Sequence, residues 1–198
     1  MNYDIPKKNL PVSGFTLIEM IIVIAVIAVL SAVAIPNLLP MRSDIKLKGA
    51  VRDLMGDMQK TRMTAIKKNK DLAIVFQPAN DRYVICSDKG DDNDWTTVTG
   101  TGMENTIEKI VEFSGPKAGI HFGKGNAASE IPGGSFTGAA ADFVSYSSPV
   151  NVAVFNARGT GNAGYVYLSN KKGSVYGTGS LSSGIIILKR WNGTQWEN

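Results

Sequence analysis

Ser13-Gly14-Phe15-Thr16-Leu17-Ile18-Glu19-Met20 opens an apolar run that extends to Ile35. As a helix rising 1.5 Å per residue, this run would span roughly 30 Å, the thickness of one hydrocarbon layer. Glu19 is its only charged residue. At the bilayer centre an aspartate costs about 2.5 to 3.5 kcal/mol on insertion scales, and a glutamate should cost about as much. A carboxylate in that position therefore points to a pairing partner.

The residues that flank the run show whether it is a membrane anchor that is retained or a secretory signal peptide that is removed. A secretory signal peptide has a shorter apolar core that ends at a small-residue cleavage site. Here the apolar character continues past Pro36 to Leu39. Lys7 and Lys8 precede the run, and basic flanks stay in the cytoplasm. The sequence therefore predicts a retained helix with the C-terminal part of the chain outside.

The opening eight residues resemble the class III signal sequence of type IV pilins and pseudopilins, a glycine followed by Phe-Thr-Leu-Ile-Glu and a long apolar run. Pro36 stands where that family usually places a proline. The resemblance implies that a prepilin peptidase cuts between Gly14 and Phe15, and that the new amine on Phe15 is methylated. It also implies that Glu19 pairs with the N-terminal amine of a neighbouring subunit during assembly. A plain single-pass anchor is the alternative.

The chain is then predicted to have a leader over residues 1–14, a transmembrane helix over 15–36, an amphipathic half of the same helix over 37–70 and a β-rich domain over 71–198. A kink is predicted at Pro36, because proline removes a helical hydrogen bond. Charged residues, Asp57 among them, are placed on the solvent side of the amphipathic half. Spacings of mostly three and four predict that its core face comprises Leu47, Val51, Leu54, Met55, Met58, Met63, Ala65 and Ile66.

Beyond Asp71, β-branched and aromatic residues predict strands separated by glycine- and serine-rich loops. Residues 72–77 and 82–87 read as a hairpin joined by a turn at 78–81. Further strands are predicted over residues 106–113, 119–122, 142–146, 150–156, 164–169 and 184–191. A long helix followed by a run of strands predicts the α+β class.

Two later stretches of the sequence resemble one particular group within the pilin class. Phe155-Asn156-Ala157-Arg158-Gly159 and Gly164-Tyr165-Val166-Tyr167-Leu168 look like the pattern F-x-x-x-G … G-x-V/I-x-L of the GspH/FimT group of minor pseudopilins and pilins. That group typically closes with a glycine-arginine pair, whereas here Lys189 and Arg190 follow a leucine. The resemblance implies the pilin-like lollipop, a long N-terminal helix packed on an antiparallel β-sheet domain.

The function implied by the resemblance is structural. The chain would be a minor subunit of a type II secretion pseudopilus or a type IV pilus, near the tip as an initiating subunit. It would cross the bacterial inner membrane once, with other pilin subunits and the prepilin peptidase as partners and no cofactor. A DNA-binding minor pilin for natural transformation and a major pilin are the alternatives. The lone Cys86 counts against a major pilin, which often carries a cysteine pair.

The DNA-binding alternative depends on the C-terminal residues Lys189, Arg190, Trp191 and Trp196. Cations interleaved with aromatic side chains are typical of nucleic-acid grooves. The competing interpretation is a closing edge strand whose charges face water and whose tryptophans pack on the sheet, since edge strands often carry lysine.

Composition offers little support for catalysis or for metal binding. The 198 residues carry a net charge of +4, one histidine and one cysteine. Cys86 is predicted to be a buried thiol, and His121 a structural imidazole in a short strand. Four carboxylates crowd one loop without the spacing of a calcium-binding EF-hand. The prediction there is a solvated loop, with Ca²⁺ binding as the alternative for Asp88, Asp91, Asp92 and Asp94.

Overall fold

The structure is a computed structural model that describes residues 14–96, 98, 105–136 and 143–198, without the side chains of 33–40 and 116. The chain divides into two compact units, Met1–Leu39 and Pro40–Asn198. A single long helix, α1, covers Leu17–Lys68 and contributes to both units. It continues through Pro36, and the kink predicted at that residue stays a prediction.

The C-terminal end of α1 is set by Asn69. This residue adopts the left-handed conformation, with φ of 50°. The amide of Asn69 donates to the carbonyl of Ile66 and the amide of Lys70 to that of Ala65, both at 3.2 Å. This pair of bonds is the Schellman motif, in which a residue with positive φ satisfies the last free carbonyls of a helix. The chain leaves α1 there and enters the first strand at Leu72, after two further residues.

The second half of α1 buries one face against the β domain. That face consists of Leu47, Ala50, Val51, Leu54, Met58 and Ala65, each at most 2% exposed. The prediction was wrong for Met63 and Ile66, which are 70% and 48% exposed. At 3.6 residues per turn, Met63 lies roughly 160° around the helix from Ala65 and Ile66 roughly 100°. Met63 therefore projects away from the sheets although it is apolar, whereas Ile66 lies beside Gly159 in a loop of the β domain.

Two antiparallel sheets form the β domain. The first has the order β3-β2-β1-β5. Its strands are β1 (Leu72–Gln77), β2 (Arg82–Asp88), β3 (Thr106–Glu112) and β5 (Val152–Phe155). The predicted hairpin is confirmed, because β1 pairs with β2 in the register Ile74 to Ile85. The helix-packed antiparallel arrangement confirms the α+β class.

The second sheet has the order β4-β6-β7-β8-β9. Its strands are β4 (Ile120–Phe122), β6 (Gly164–Asn170), β7 (Val175–Ser180), β8 (Ile186–Trp191) and β9 (Trp196–Glu197). Side chains from both sheets meet the buried face of α1 in one core. At its centre, aromatic rings of Phe76, Tyr83, Phe113, Phe122 and Tyr146 lie 5.4 to 6.4 Å apart.

Three strand predictions differ from the structure. Residue 142 lies outside the described residues, and 143–146 contribute an isolated bridge from Val144 to Val166 in place of the predicted strand. Strands β7 and β9 were missed. In β7, Gly177 and Gly179 interrupt the apolar alternation that predicts strands. A side chain at Gly179 would overlap with the carbonyl oxygen of Gly164 on β6, so the close pairing of these strands requires glycine.

The buried tyrosine hydroxyls and the buried thiol of the core predict how the stability of the fold depends on pH. Burial raises the pKa of Tyr146 and of Tyr167 to about 12 and the pKa of Cys86 to about 11. Their ordinary values are 10.0 and 9.0, so the folded state holds these protons more tightly than the unfolded state. The stabilisation is complete below about pH 9 and is lost as the pH rises through about 11 to 12.

We therefore expect the urea midpoint of unfolding, followed by near-UV circular dichroism, to be level from pH 7 to about pH 9 and to fall above that. The decline above about pH 10 should be shallower in Tyr146→Phe, which removes one of these protons. A midpoint that stayed constant up to about pH 11 would contradict the burial of these groups.

Candidate assembly site

Glu19 lies in the first turn of α1 and is bound to the residue that caps the helix. The amide and the hydroxyl of Thr16 both donate to Oε2 of Glu19 at 3.3 Å. In return, the amide of Glu19 donates to the Thr16 hydroxyl at 3.3 Å. This reciprocal pattern is a capping box. The sequence analysis missed it, although Thr16-x-x-Glu19 has the spacing that identifies one.

The predicted cleavage point lies directly before this cap. Phe15 is 81% exposed, and Gly14 has nothing within 4 Å of the position a side chain would take. The free amides at a helix N-terminus and its dipole favour negative charge, so the Glu19 carboxylate is well placed electrostatically. A free amine on Phe15 would begin one residue before the cap, which places a positive charge near the same carboxylate.

Residues 15–30 expose an apolar surface. The exposed fractions of their large apolar side chains run from 47% at Val23 to 81% at Phe15. The exposed large side chains are Phe15, Leu17, Ile18, Met20, Ile21, Ile22, Val23, Ile24, Val26, Ile27, Val29 and Leu30. Successive residues point around the whole helix, so the apolar surface is not confined to one stripe.

Over the described residues, no helix has both the length and the apolar character that a membrane crossing requires. The crossing predicted for residues 15–36 stays a prediction, and the side chains of its last four residues lie outside the described part.

In the second unit, the motif that ends at Gly159 is hydrogen-bonded to the helix, and it is the first of the two glycine-containing motifs, 155–159 and 164–168. Gly159 adopts φ of 76°, and its carbonyl accepts a hydrogen bond of 2.7 Å from Nε of Arg62 on α1. Gly184, with φ of 79°, packs against the same carbonyl, and a side chain there would overlap with it. Arg62 and the two glycines therefore tie the loop after β5 and the loop before β8 to α1.

The second glycine motif makes room for a buried tyrosine. A side chain on Gly164 would come within 2.5 Å of the Tyr146 ring. The Tyr146 hydroxyl lies 2.7 Å from the hydroxyl of Ser180 and accepts a hydrogen bond from the Ser180 amide at 2.9 Å. The glycine of this motif is thus explained by packing in the core.

Asp57 on α1 forms a buried polar contact that the sequence analysis missed. It was placed on the solvent side, yet it is only 9% exposed. Lys109 of β3 donates to its two carboxylate oxygens at 2.8 and 2.6 Å, and the Tyr83 hydroxyl donates at 2.7 Å. Burial, followed by the bond to Asp57, raises the pKa of Tyr83. Asp57 lies three residues after Leu54 and seven after Ala50, so the helical spacing places it on the buried face, and only its charge indicated the solvent side.

The C-terminal tryptophans pack within the domain. Trp191 is 8% exposed and contacts the cluster formed by Tyr167 and the loop residue Ile131. Trp196 is half-buried, donates from its indole nitrogen to the Ser129 carbonyl at 2.8 Å, and stacks edge-on against Trp191 at 5.4 Å. Stacking on bases requires an open ring face, which the packing of Trp191 removes. The arrangement favours tryptophans packed on the sheet.

The two cations between them are accessible to different extents. Arg190 is exposed and Lys189 is half-buried. They lie on β8, which is not the edge of the sheet because β9 pairs with it. DNA contact by Lys189, Arg190, Trp191 and Trp196 remains an untested prediction.

The carboxylates of the acidic loop bind different partners and do not converge on one point. Asp88 pairs with Lys70 at 3.2 Å, and this cation lowers the pKa of Asp88. Asp94 accepts hydrogen bonds from the amide and hydroxyl of Thr96, which lower its pKa as well. Asp92 accepts from the Asp94 amide at 3.0 Å. Among the described residues, no group of three or more acidic, histidine or cysteine side chains could hold a metal ion.

Cys86 and His121 lie in different sheets. Cys86, on β2, is buried as predicted. His121, on β4, is half-buried and faces Ser169 of β6 across the strand pair. No described contact brings the Cys86 thiol and the His121 imidazole together as a nucleophile and its base.

Two family models match this chain. The prokaryotic N-terminal methylation motif matches residues 11–35. The model for type II transport protein GspH matches residues 50–187. No curated protein matches the chain.

Solved structures with a similar fold include the minor pseudopilin EpsH from the Type 2 Secretion System of Vibrio cholerae. It is 10% identical, with a TM-score of 0.45, over 72% of this chain and 95% of that one. The type IV minor pilin FimU of Pseudomonas aeruginosa PAO1 is 14% identical, with a TM-score of 0.46, over 80% of this chain and 98% of that one.

The GspH match covers the buried face of α1 from Ala50 onward and both sheets as far as Ile187, so it leaves out most of β8 and all of β9. The methylation motif covers the exposed start of the helix and the capping box. The two matches are separated by residues 36–49 and together account for most of the sequence. On this basis the protein belongs to the GspH family of type II transport proteins, with a prokaryotic N-terminal methylation motif.

Proposed function

We propose that the protein is a structural minor subunit of a type II secretion pseudopilus or a type IV pilus, placed near the tip, where it initiates assembly. Family membership supports the subunit class. The observation that carries the proposal is the start of α1, where the Glu19 carboxylate accepts a hydrogen bond from the Thr16 amide at the head of an exposed apolar helix.

In this proposal residues 15–36 cross the bacterial inner membrane once, with the β domain outside the cytoplasm. The sequence supports this orientation through Lys7 and Lys8, which precede the apolar run. A prepilin peptidase removes residues 1–14, and Phe15 becomes the methylated N-terminus.

Assembly follows from the same segment. The apolar side chains between Phe15 and Leu30 have no cover within the described chain. Helices of neighbouring subunits supply that cover through close packing, and a carboxylate among them is stabilised when it pairs with a cation. The neighbour's Phe15 amine provides that cation and fixes the axial position of one subunit against the next.

Gly14→Phe is expected to block processing, since the open space beside Gly14 lets the variant fold while the glycine before the cut is lost. In cells that carry a prepilin peptidase, intact mass spectrometry should find the wild-type chain without its first fourteen residues and the variant at full length. Ser13→Ala is the control and should be processed normally. A Gly14→Phe chain with the mature mass would refute the leader assignment.

A further inference from the structure

Strand β3 ends the first sheet with an open edge. It pairs with β2 on one side, and no described backbone group bonds to Thr106–Glu112 on the other. Six of its seven residues are exposed, among them Ile107 at 36% and Ile110 at 47%. An uncovered strand edge presents unpaired amides and carbonyls to which a further strand can bind.

This edge runs beside α1 and leaves a groove between them. Two ion pairs connect α1 to β3, Lys68 to Glu108 at 2.9 Å and Asp57 to Lys109 at 2.6 Å. A third joins Asp53 to Lys117, in the turn after β3, at 2.8 Å. Two cavities of about 710 and 370 Å³ border the Asp57–Lys109 pair. We call this feature the α1–β3 groove.

Gly56 lines the larger cavity on the helix side. It is exposed, and nothing lies within 4 Å of the position that its side chain would take. A glycine inside a helix lowers stability relative to alanine, and no contact within the described chain requires it here. The bare helix surface at this point allows another chain to approach closely.

Two cations flank this bare surface. Arg52 and Lys60 lie one helical turn before and after Gly56, and both are exposed. The nearby carboxylates of Asp53 and Asp57 are taken by Lys117 and Lys109, and Glu112, on the strand side of the larger cavity, accepts a hydrogen bond from the Ser114 hydroxyl. Among the described residues, no carboxylate pairs with Arg52 or Lys60. The helix side of the groove therefore carries unmatched positive charge.

We propose that the α1–β3 groove binds an extended acidic segment of a partner protein, which adds to β3 as a fifth strand of the first sheet. Its backbone pairs with the β3 edge, and two carboxylates four residues apart face Arg52 and Lys60. Eight helical residues span about 12 Å and four strand residues about 13 Å, so the two spacings agree. Four residues apart, two strand side chains also lie on the same face. This proposal does not depend on the membrane or filament assignments.

The test uses the full-length protein in detergent and a fluorescein-labelled peptide of alternating threonine and valine with two glutamates four residues apart. Fluorescence anisotropy should show saturable binding, weakened at least tenfold by Arg52→Glu/Lys60→Glu. Hydrogen exchange should slow at the β3 amides when the peptide is added. A peptide with lysines in place of the glutamates, or with a central proline, should not bind.

The variant Gly56→Leu distinguishes binding in the α1–β3 groove from non-specific binding of the peptide elsewhere on the protein. The substitution fills the groove in open space, so the variant should fold and lose the peptide at least tenfold. Gly49→Leu is the matched control, because Gly49 also has open space on α1 but does not line either cavity. Absence of binding by the wild type, or equal binding by Gly56→Leu, would overturn the proposal. So would duplex DNA competing fully for the peptide, since the cations would then bind phosphate.

Discussion

Glu19→Ala is expected to abolish incorporation of the protein into filaments and to spare its insertion into the membrane. The variant loses the carboxylate that we propose pairs with the neighbouring subunit's amine, while the apolar run is unchanged. Removing one partner of an ion pair in a medium of low dielectric constant leaves the other uncompensated, which costs about 3 to 5 kcal/mol. Immunoblots of sheared filaments and of membrane fractions measure the two properties separately.

The capping box requires a second variant, because alanine also removes the bonds between Glu19 and Thr16. Glutamine serves at the same position of a capping box, so Glu19→Gln keeps the cap and removes the charge. We expect Glu19→Gln to fail in incorporation as Glu19→Ala does. Normal incorporation of Glu19→Gln would mean that Glu19 acts by starting the helix, and the inter-subunit ion pair would be wrong.

Gly184→Ala should destabilise the β domain by about 2 to 5 kcal/mol, the sum of backbone strain and overpacking. The added methyl group would overlap with the Gly159 carbonyl and lie 2.7 Å from Nε of Arg62. It would therefore push apart the contact that ties two loops to α1. Urea unfolding of the purified full-length chain, followed by circular dichroism, measures the change.

Gly119→Ala is the matched control for backbone strain. Gly119 has a similar φ of 93°, but nothing lies within 4 Å of its side-chain position. It should cost only the strain of a left-handed alanine, about 1 to 2 kcal/mol. If the two variants lose the same stability, the close approach of Gly184 to Gly159 contributes nothing.

Much of the fold was accessible from short-range patterns. The hairpin of β1 and β2 was predicted because two β-branched runs flank a turn-forming stretch at residues 78–81. The burial of Cys86 followed from its place inside one of those runs. In each case neighbours along the chain carry the information, so distant contacts were not needed.

Features that depend on distant partners could not be predicted in this way. Asp57 was taken for a surface residue because its partners Tyr83 and Lys109 lie far away in sequence. Strand β7 was missed because its glycines are explained only by the strand beside it. The sequence left two alternatives for the C-terminal tryptophans, an exposed aromatic surface or packing on the sheet, and only the structure shows Ser129 and Ile131 packed against them.

The sequence by itself determined the family, the candidate cleavage point at Gly14, the place of Glu19 and the α+β class, because each is encoded by contiguous residues or by a short spacing. Only the tertiary structure decided which glycines are required for packing, where Asp57 finds its partners and that β3 has an open edge beside α1. Those properties arise when segments far apart in the chain come within a few ångströms of each other. Their energies depend on overlap, burial and charge pairing, which no local pattern records.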